Sequence, residues 1–157
     1  AQVADRSEYG IRSEAMATTQ YDPDCIFCKI LQGQIPSTSL FESDAFFVFL
    51  DINPANRGHA LIVPKLHAET VFDMPEGYGE ELIAIMRKVG KAIMKATGAT
   101  GMNILQNNYA DAGQAVPHVH WHLIPRFAGD GLLPWSTKNY ADGEEMASLA
   151  GKIRSAL

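Results

Sequence analysis

The segment Val116-Pro117-His118-Val119-His120-Trp121-His122-Leu123-Ile124-Pro125-Arg126 alternates imidazoles with apolar side chains at a period of two. Strand side chains point to opposite faces in turn, so this run predicts a strand over 116–126 with two unlike sides. His118, His120 and His122 share one side, and Val119, Trp121 and Leu123 share the other. A sheet built on it can bury the apolar side while the imidazoles line a site. Three of the five histidines fall in this alternation, which makes a chance stripe a poor explanation. One metal ion could hardly collect all three, because residues i and i+4 of a strand are about 13 Å apart at Cα. Two of them, such as His118 and His120, could chelate one. The other reading is nucleophilic catalysis. Neutral imidazole offers one basic nitrogen near neutral pH. An acceptor for the second nitrogen would fix its tautomer, and a flanking histidine would serve the leaving group.

Further runs of strand character are Ser39–Glu42, 45–51, 59–64 and 102–106. The turn Asn53-Pro54-Ala55-Asn56-Arg57-Gly58 separates the second and third. Leu82, Ile83, Ile85, Met86, Val89, Ile93 and Ala96 recur at helical spacing, predicting a long helix over Gly79–Thr97 with Gly98 just past its end. A short helix over 25–32 stopped by Gly33 and a last helix over 144–156 complete the reading. Strands gathered around one long helix predict an α+β fold: an antiparallel sheet of about five strands, the long helix and a C-terminal helix. A chain of 157 residues suffices for one domain with its own core.

No apolar run approaches the roughly 20 residues of a membrane helix, so no membrane partner is expected. The net charge of -5 argues against a broad DNA or RNA surface. It leaves room for a small phosphorylated ligand held by local donors. The only two cysteines, Cys25 and Cys28, are spaced C-x-x-C. That is too few for a secreted disulfide scaffold and points to a reducing, intracellular, cytoplasmic setting. Such a pair is either half of a metal site or a redox couple. Residues 1–24 are polar, lack the apolar stretch of a secretory signal, and carry Asp5, Glu8 and Glu14, unlike an organelle transit peptide. They are expected to be a flexible N-terminal extension, with Met16 a candidate natural start.

The run HVHWHLI resembles the H-φ-H-φ-H-φ-φ signature of the histidine triad family. The blocks CIFCKILQGQIPS and FLDINPANRGHALIVPKLH, and the Ala-Gly-Gln loop before the triad, extend the match over roughly 25–127. Residues 25–157 would then be a single histidine triad (HIT) domain. The resemblance is strongest to the Hint-like branch and implies a homodimeric nucleotide hydrolase, such as an adenosine 5'-monophosphoramidase. It would cleave purine nucleoside 5'-phosphoramidates or related adenylates to the monophosphate, with no metal in the chemistry. His120 would be the nucleophile, His122 would contact the phosphate and help the leaving group, and His118 would support them. His59 resembles a fourth pocket histidine, although a purely structural role is equally open. Asp51 would accept from ribose hydroxyls, which suits an acceptor-only carboxylate. Ile52 would pack near the nucleoside. Asn107, Gly113, Gln114, Ala115 and Val116 would hold the phosphate region, in part through backbone N–H groups. Phe27, Phe49 and Leu61 are candidates for a base pocket, more simply read as core. Carried over from relatives with the same C-x-x-C, the ligands of a structural zinc would be Cys25, Cys28, His67 and His118. One departure stands out: Ala115 replaces a serine found in many phosphoramidases. Two other readings of the resemblance are a dinucleoside polyphosphate hydrolase and a nucleotide-binding regulator with little turnover.

Overall fold

The structure, a computed structural model, describes residues 21–157. Helix α1 (Ile26–Leu31) leads into strands β1 (Ser39–Glu42), β2 (Phe46–Leu50) and β3 (Ala60–Pro64). The long helix α2 (Gly79–Thr97), strands β4 (Gly101–Gln106) and β5 (Trp121–Arg126), and helix α3 (Gly143–Ser155) follow. The five strands form one sheet in the order β1-β2-β3-β5-β4, every neighbouring pair antiparallel. The fold is the expected α+β arrangement.

The period-two pattern of the strands sorts side chains to two faces. Phe46, Val48 and Ile62 meet Leu82, Ile85, Met86, Val89 and Ile93 of α2 in the main core. Phe49, Leu61 and Val63 turn the other way, onto Cys25, Phe27 and Cys28 around α1. Each fully buried aliphatic side chain contributes about 1.5–3 kcal/mol relative to exposure, so α2 supplies most of the anchoring. That helix ends at Gly98, whose φ of 74° lets its N–H return to the Met94 carbonyl.

The histidine segment departs from expectation in one respect. Strand pairing begins only at Trp121, so the strand expected from 116 is five residues shorter. Pro117 has no N–H to offer a ladder. The His118 N–H turns back to the Val116 carbonyl, and the Val119 N–H reaches the Ala68 carbonyl, each at 2.8 Å. The alternation of faces nevertheless survives. Val119, Trp121 and Leu123 join the core under α2, while His122 pairs across the sheet with Leu61 on the α1 side.

Of the extension expected over 1–24, residues 1–20 lie outside the described residues. Residues just after them touch the domain: the Asp22 carbonyl accepts from the Cys25 N–H, and the Tyr21 hydroxyl pairs with Gln34. Among the described residues, no helix is long and apolar enough to cross a membrane.

The turn between β2 and β3 closes at Gly58, where φ is 95° and a Cβ would lie 2.8 Å from Thr97 Cγ2. A left-handed L-residue costs about 1–2 kcal/mol before any clash. Gly58→Ala is therefore expected to lower unfolding stability by about 2–3 kcal/mol in urea titrations; a loss below about 0.5 kcal/mol would show that the turn relaxes freely.

Candidate active site

His120 is buried, with 6% of its surface exposed. Its Nδ1–H donates to the His118 carbonyl at 2.7 Å, since a carbonyl can only accept. In the neutral ring the basic nitrogen is therefore Nε2, which makes no hydrogen bond among the described residues. Burial pulls the His120 pKa below the ordinary imidazole value, against the opposing pull of the His118 carbonyl and Asp51. The ring is thus held neutral, with one nitrogen tied down and a lone pair on the other.

The same bookkeeping of protons orders its neighbours. The Ala55 N–H donates to His59 Nδ1 at 3.0 Å, so the single proton of neutral His59 sits on Nε2. His59 Nε2–H lies 2.9 Å from His122 Nδ1 and donates to it. His122 must then carry its own proton on Nε2. Burial, and behind it the nearby His120 and His59 rings, push His122 down to about 4. His59 is lowered mainly by burial, with Asp51 pulling upward from 3.7 Å. The chain Ala55–His59–His122 ends in a fixed N–H donor on a ring whose centre is 4.9 Å from that of His120. Asp51, His59 and His122 also cluster tightly enough to suggest a cation site. The His59 tautomer argues against it, because its Nε2 lone pair is already protonated.

The His120 and His122 rings line a cavity of about 360 Å³, within the usual size of small-ligand pockets. Asp51, Ile52, Ala115 and Val116 line it too, as do Phe27, Phe49 and Leu61. The last three are also buried core residues. Phe27 stands edge-on to His120, ring centres 5.0 Å apart. Ile52 is 89% exposed at the rim. The sequence reading missed Ile26, Ile30 and Ile35, which complete the apolar wall. The i, i+4 spacing of Ile26 and Ile30 was the available signal, since it puts both on one side of α1.

His59, Asn107, Gly113 and Gln114 are not in the cavity wall. His59 acts on it through His122. Gln114 braces the preceding loop: its carbonyl accepts from the Tyr109 N–H and its amide donates to the Glu69 carbonyl. Tyr109 has a φ of 69°, an uncommon conformation for a non-glycine residue, and the Gln114 clamp holds it there. Gly113, at φ 89°, lies beside the Asn107 amide.

His118 faces a second cluster. Its Nε2–H donates to the Pro64 carbonyl at 2.9 Å, which leaves the Nδ1 lone pair free. That Nδ1 lies 3.4 Å from Cys25 Sγ, 3.6 Å from Cys28 Sγ and 3.2 Å from His67 Nδ1. His67 Nδ1 lies 3.4 Å from Cys28 Sγ. A tetrahedron with metal–S near 2.3 Å and metal–N near 2.0–2.1 Å has edges of roughly 3.3–3.8 Å. Four of the six edges here are 3.2, 3.4, 3.4 and 3.6 Å, close to that range, and all four donor atoms lie within 4.8 Å of one another. Burial pushes the Cys28 thiol up to about 11, so the thiolate needs a compensating cation.

The family model for the HIT domain matches residues 32–129. An uncharacterized HIT-like protein of Methanocaldococcus jannaschii is 48% identical over 109 residues, 68% of this chain and 82% of that protein. Adenosine 5'-monophosphoramidase HNT1 of Saccharomyces cerevisiae is 41% identical over 118 residues, 75% of this chain and 72% of that protein. A crystal structure from Streptococcus mutans superposes with a TM-score of 0.81 at 38% identity, covering 88% of each chain. A domain match over most of the sequence, with the same fold at this level of identity, settles the lineage: the chain belongs to the HIT domain family.

Proposed function

We propose that this chain is a nucleotide hydrolase that converts purine nucleoside 5'-phosphoramidates, or related adenylates, to the nucleoside monophosphate through a nucleotidyl-histidine intermediate. The observation that carries this reading is the His120 ring, with Nδ1–H donated to the His118 carbonyl and Nε2 left basic at the cavity wall. The Nε2 lone pair attacks the α-phosphorus, and the bond from phosphorus to the protonated leaving nitrogen breaks, releasing a neutral amine. The His122 Nε2–H would stabilise the phosphoryl oxygens as charge develops there. Water then attacks phosphorus, the N–P bond breaks, His120 regains its lone pair, and the water proton leaves with the monophosphate or solvent. The phosphoramidase activity of the similar yeast protein supports the substrate class.

Among the described residues, Asp51 is the one carboxylate in the cavity wall, and it would accept from the ribose hydroxyls. Asp51→Ala is expected to raise KM about tenfold for a ribonucleotide substrate, from the loss of a charged hydrogen bond. It should leave KM for the 2',3'-dideoxy analogue nearly unchanged; equal losses for both would remove the ribose role.

We also assign a structural zinc to Cys25, Cys28, His67 and His118, supported by the tetrahedral spacing of the donors and the free Nδ1 of His118. When bound, it supplies a closed Cys2His2 anchor and no chemistry of its own. His118 then fixes the carbonyl that orients His120. The working unit is a homodimer, a reading supported by the exposed apolar side chains of α3.

Turnover of an adenosine phosphoramidate against a diadenosine triphosphate tests the substrate class. Preference for the phosphoramidate is expected, and preference for the dinucleotide would move the chain to polyphosphate hydrolysis. Ala115 in the cavity wall brings no hydroxyl to the leaving group. It favours one other reading, a nucleotide-binding regulator, which unmeasurable turnover on both substrates would support.

A further inference from the structure

We infer that Phe72 and Tyr109 form a platform at the rim of the cavity, beside Ala115, on which an aromatic ring carried by the leaving amine stacks. The inference rests on the phosphoramidate reading above and names the class of leaving group. The two rings are stacked, with centres 6.4 Å apart and planes 22° from parallel. Phe72 is 73% and Tyr109 53% exposed, so both keep open aromatic surface beyond what each covers of the other.

Tyr109 holds its place against its own backbone preference. At φ 69° and ψ 162° it occupies a region used almost only by glycine. A loop that had only to turn would carry glycine there and avoid the strain. Strain of this kind collects at sites that work on ligands. Hydrogen bonds tie the backbone beside one ring to the loop that carries the other. The Val71 N–H donates to Asn108 Oδ1 at 2.9 Å, and the Gln114 amide donates to the Glu69 carbonyl at 2.6 Å. The pair is therefore preorganised.

It also adjoins the reacting end of the cavity. The Gln114 N–H donates to the Tyr109 carbonyl at 3.1 Å, and the next residue, Ala115, lines the cavity with His120 and His122. Val116 packs against the apolar cluster of Phe27, Phe49 and Leu61, which suits a base. The chain thus runs outward from that cluster, through Ala115 and Gln114, to the Tyr109 ring. A group bonded to phosphorus and directed along it reaches the pair. Charge selects the occupant. Segments 66–78 and 101–125, which carry both rings and the loop, contain Glu69, Asp73, Glu76 and Asp111 and no lysine or arginine. Such a surface suits a neutral or cationic aromatic group and repels the polyphosphate of a second nucleotide.

The test compares kcat/KM of the full chain for two adenosine 5'-phosphoramidates, one releasing 2-phenylethylamine and one releasing ethylamine. The wild-type chain should prefer the first. Tyr109→Gly and Phe72→Ala should each cut that preference about fivefold, the scale of one stacked aromatic contact. Tyr109→Phe should keep it. Because glycine relieves the strained backbone, the melting temperature of Tyr109→Gly should not fall. An unchanged preference in both variants overturns the platform and leaves the hydrolase reading standing. So does a loss in the variants that is selective for diadenosine triphosphate, which would make the pair a seat for a second base. A wild-type chain that turns over neither phosphoramidate overturns both readings.

Discussion

His120→Ala should lower turnover of an adenosine phosphoramidate by about 10⁴- to 10⁶-fold, the scale of losing a nucleophile that acts in concert with its neighbours. AMP affinity, read by calorimetry, should change by less than about threefold. The argument is geometric. Only His120 presents a basic nitrogen at the cavity wall with its other nitrogen fixed by a carbonyl. His122 sits in the same wall, but donation from His59 makes its outward nitrogen an N–H, which cannot attack phosphorus. His122→Ala should therefore cost less, because it removes a donor. A His120→Ala loss smaller than about tenfold would mean that water attacks directly or that another group is the nucleophile.

Stripping or blocking the Cys2His2 cluster should have the largest effect on stability. The purified chain is expected to hold one zinc per copy, measured by elemental analysis. Cys28→Ser, or a strong chelator, should remove it and lower the melting temperature by about 10 °C, equivalent to roughly 3–5 kcal/mol for a domain of this size. The gross binding energy of structural zinc in small peptides is larger, about 10–16 kcal/mol. The loss here is smaller because the core under α2 does not depend on the cluster. Zinc affinity should fall as pH falls, since protons compete for the thiolates and imidazoles. The turnover number should fall with the metal, because His118 would no longer steady the carbonyl that holds His120. Chelation that leaves both melting and turnover unchanged would refute the assignment.

The parts of the fold set by periodicity were legible in the sequence. The spacing of Leu82, Ile85, Met86, Val89 and Ile93 specified α2 within its observed bounds. The alternation around His120 and His122 specified which residues share a face, because a period of two leaves no other arrangement. The start of β5 was not legible. Alternation continues through Val116–His120, but hydrogen bonding there is local, and pattern alone does not report pairing. The cluster of Cys25, Cys28, His67 and His118 spans up to 93 residues of chain. Such a contact is invisible to local reasoning, and only the family resemblance brought it forward. Gln114 shows a different limit. Its type fits a ligand contact or a loop brace equally, and only its contacts with the Tyr109 and Glu69 backbone groups reveal that the side chain braces the loop. His59 was open between structure and pocket. It stands outside the cavity wall and is hydrogen-bonded to His122, which is in it.

The most direct measurement is mass-spectrometric mapping of the nucleotidylated residue, after rapid denaturation of the wild-type chain during turnover of an adenosine phosphoramidate. An adenylyl group on Nε2 of His120, absent from His120→Ala, is the predicted result. An adduct on any other side chain, or sustained turnover with no adduct at all, would contradict a covalent route through His120.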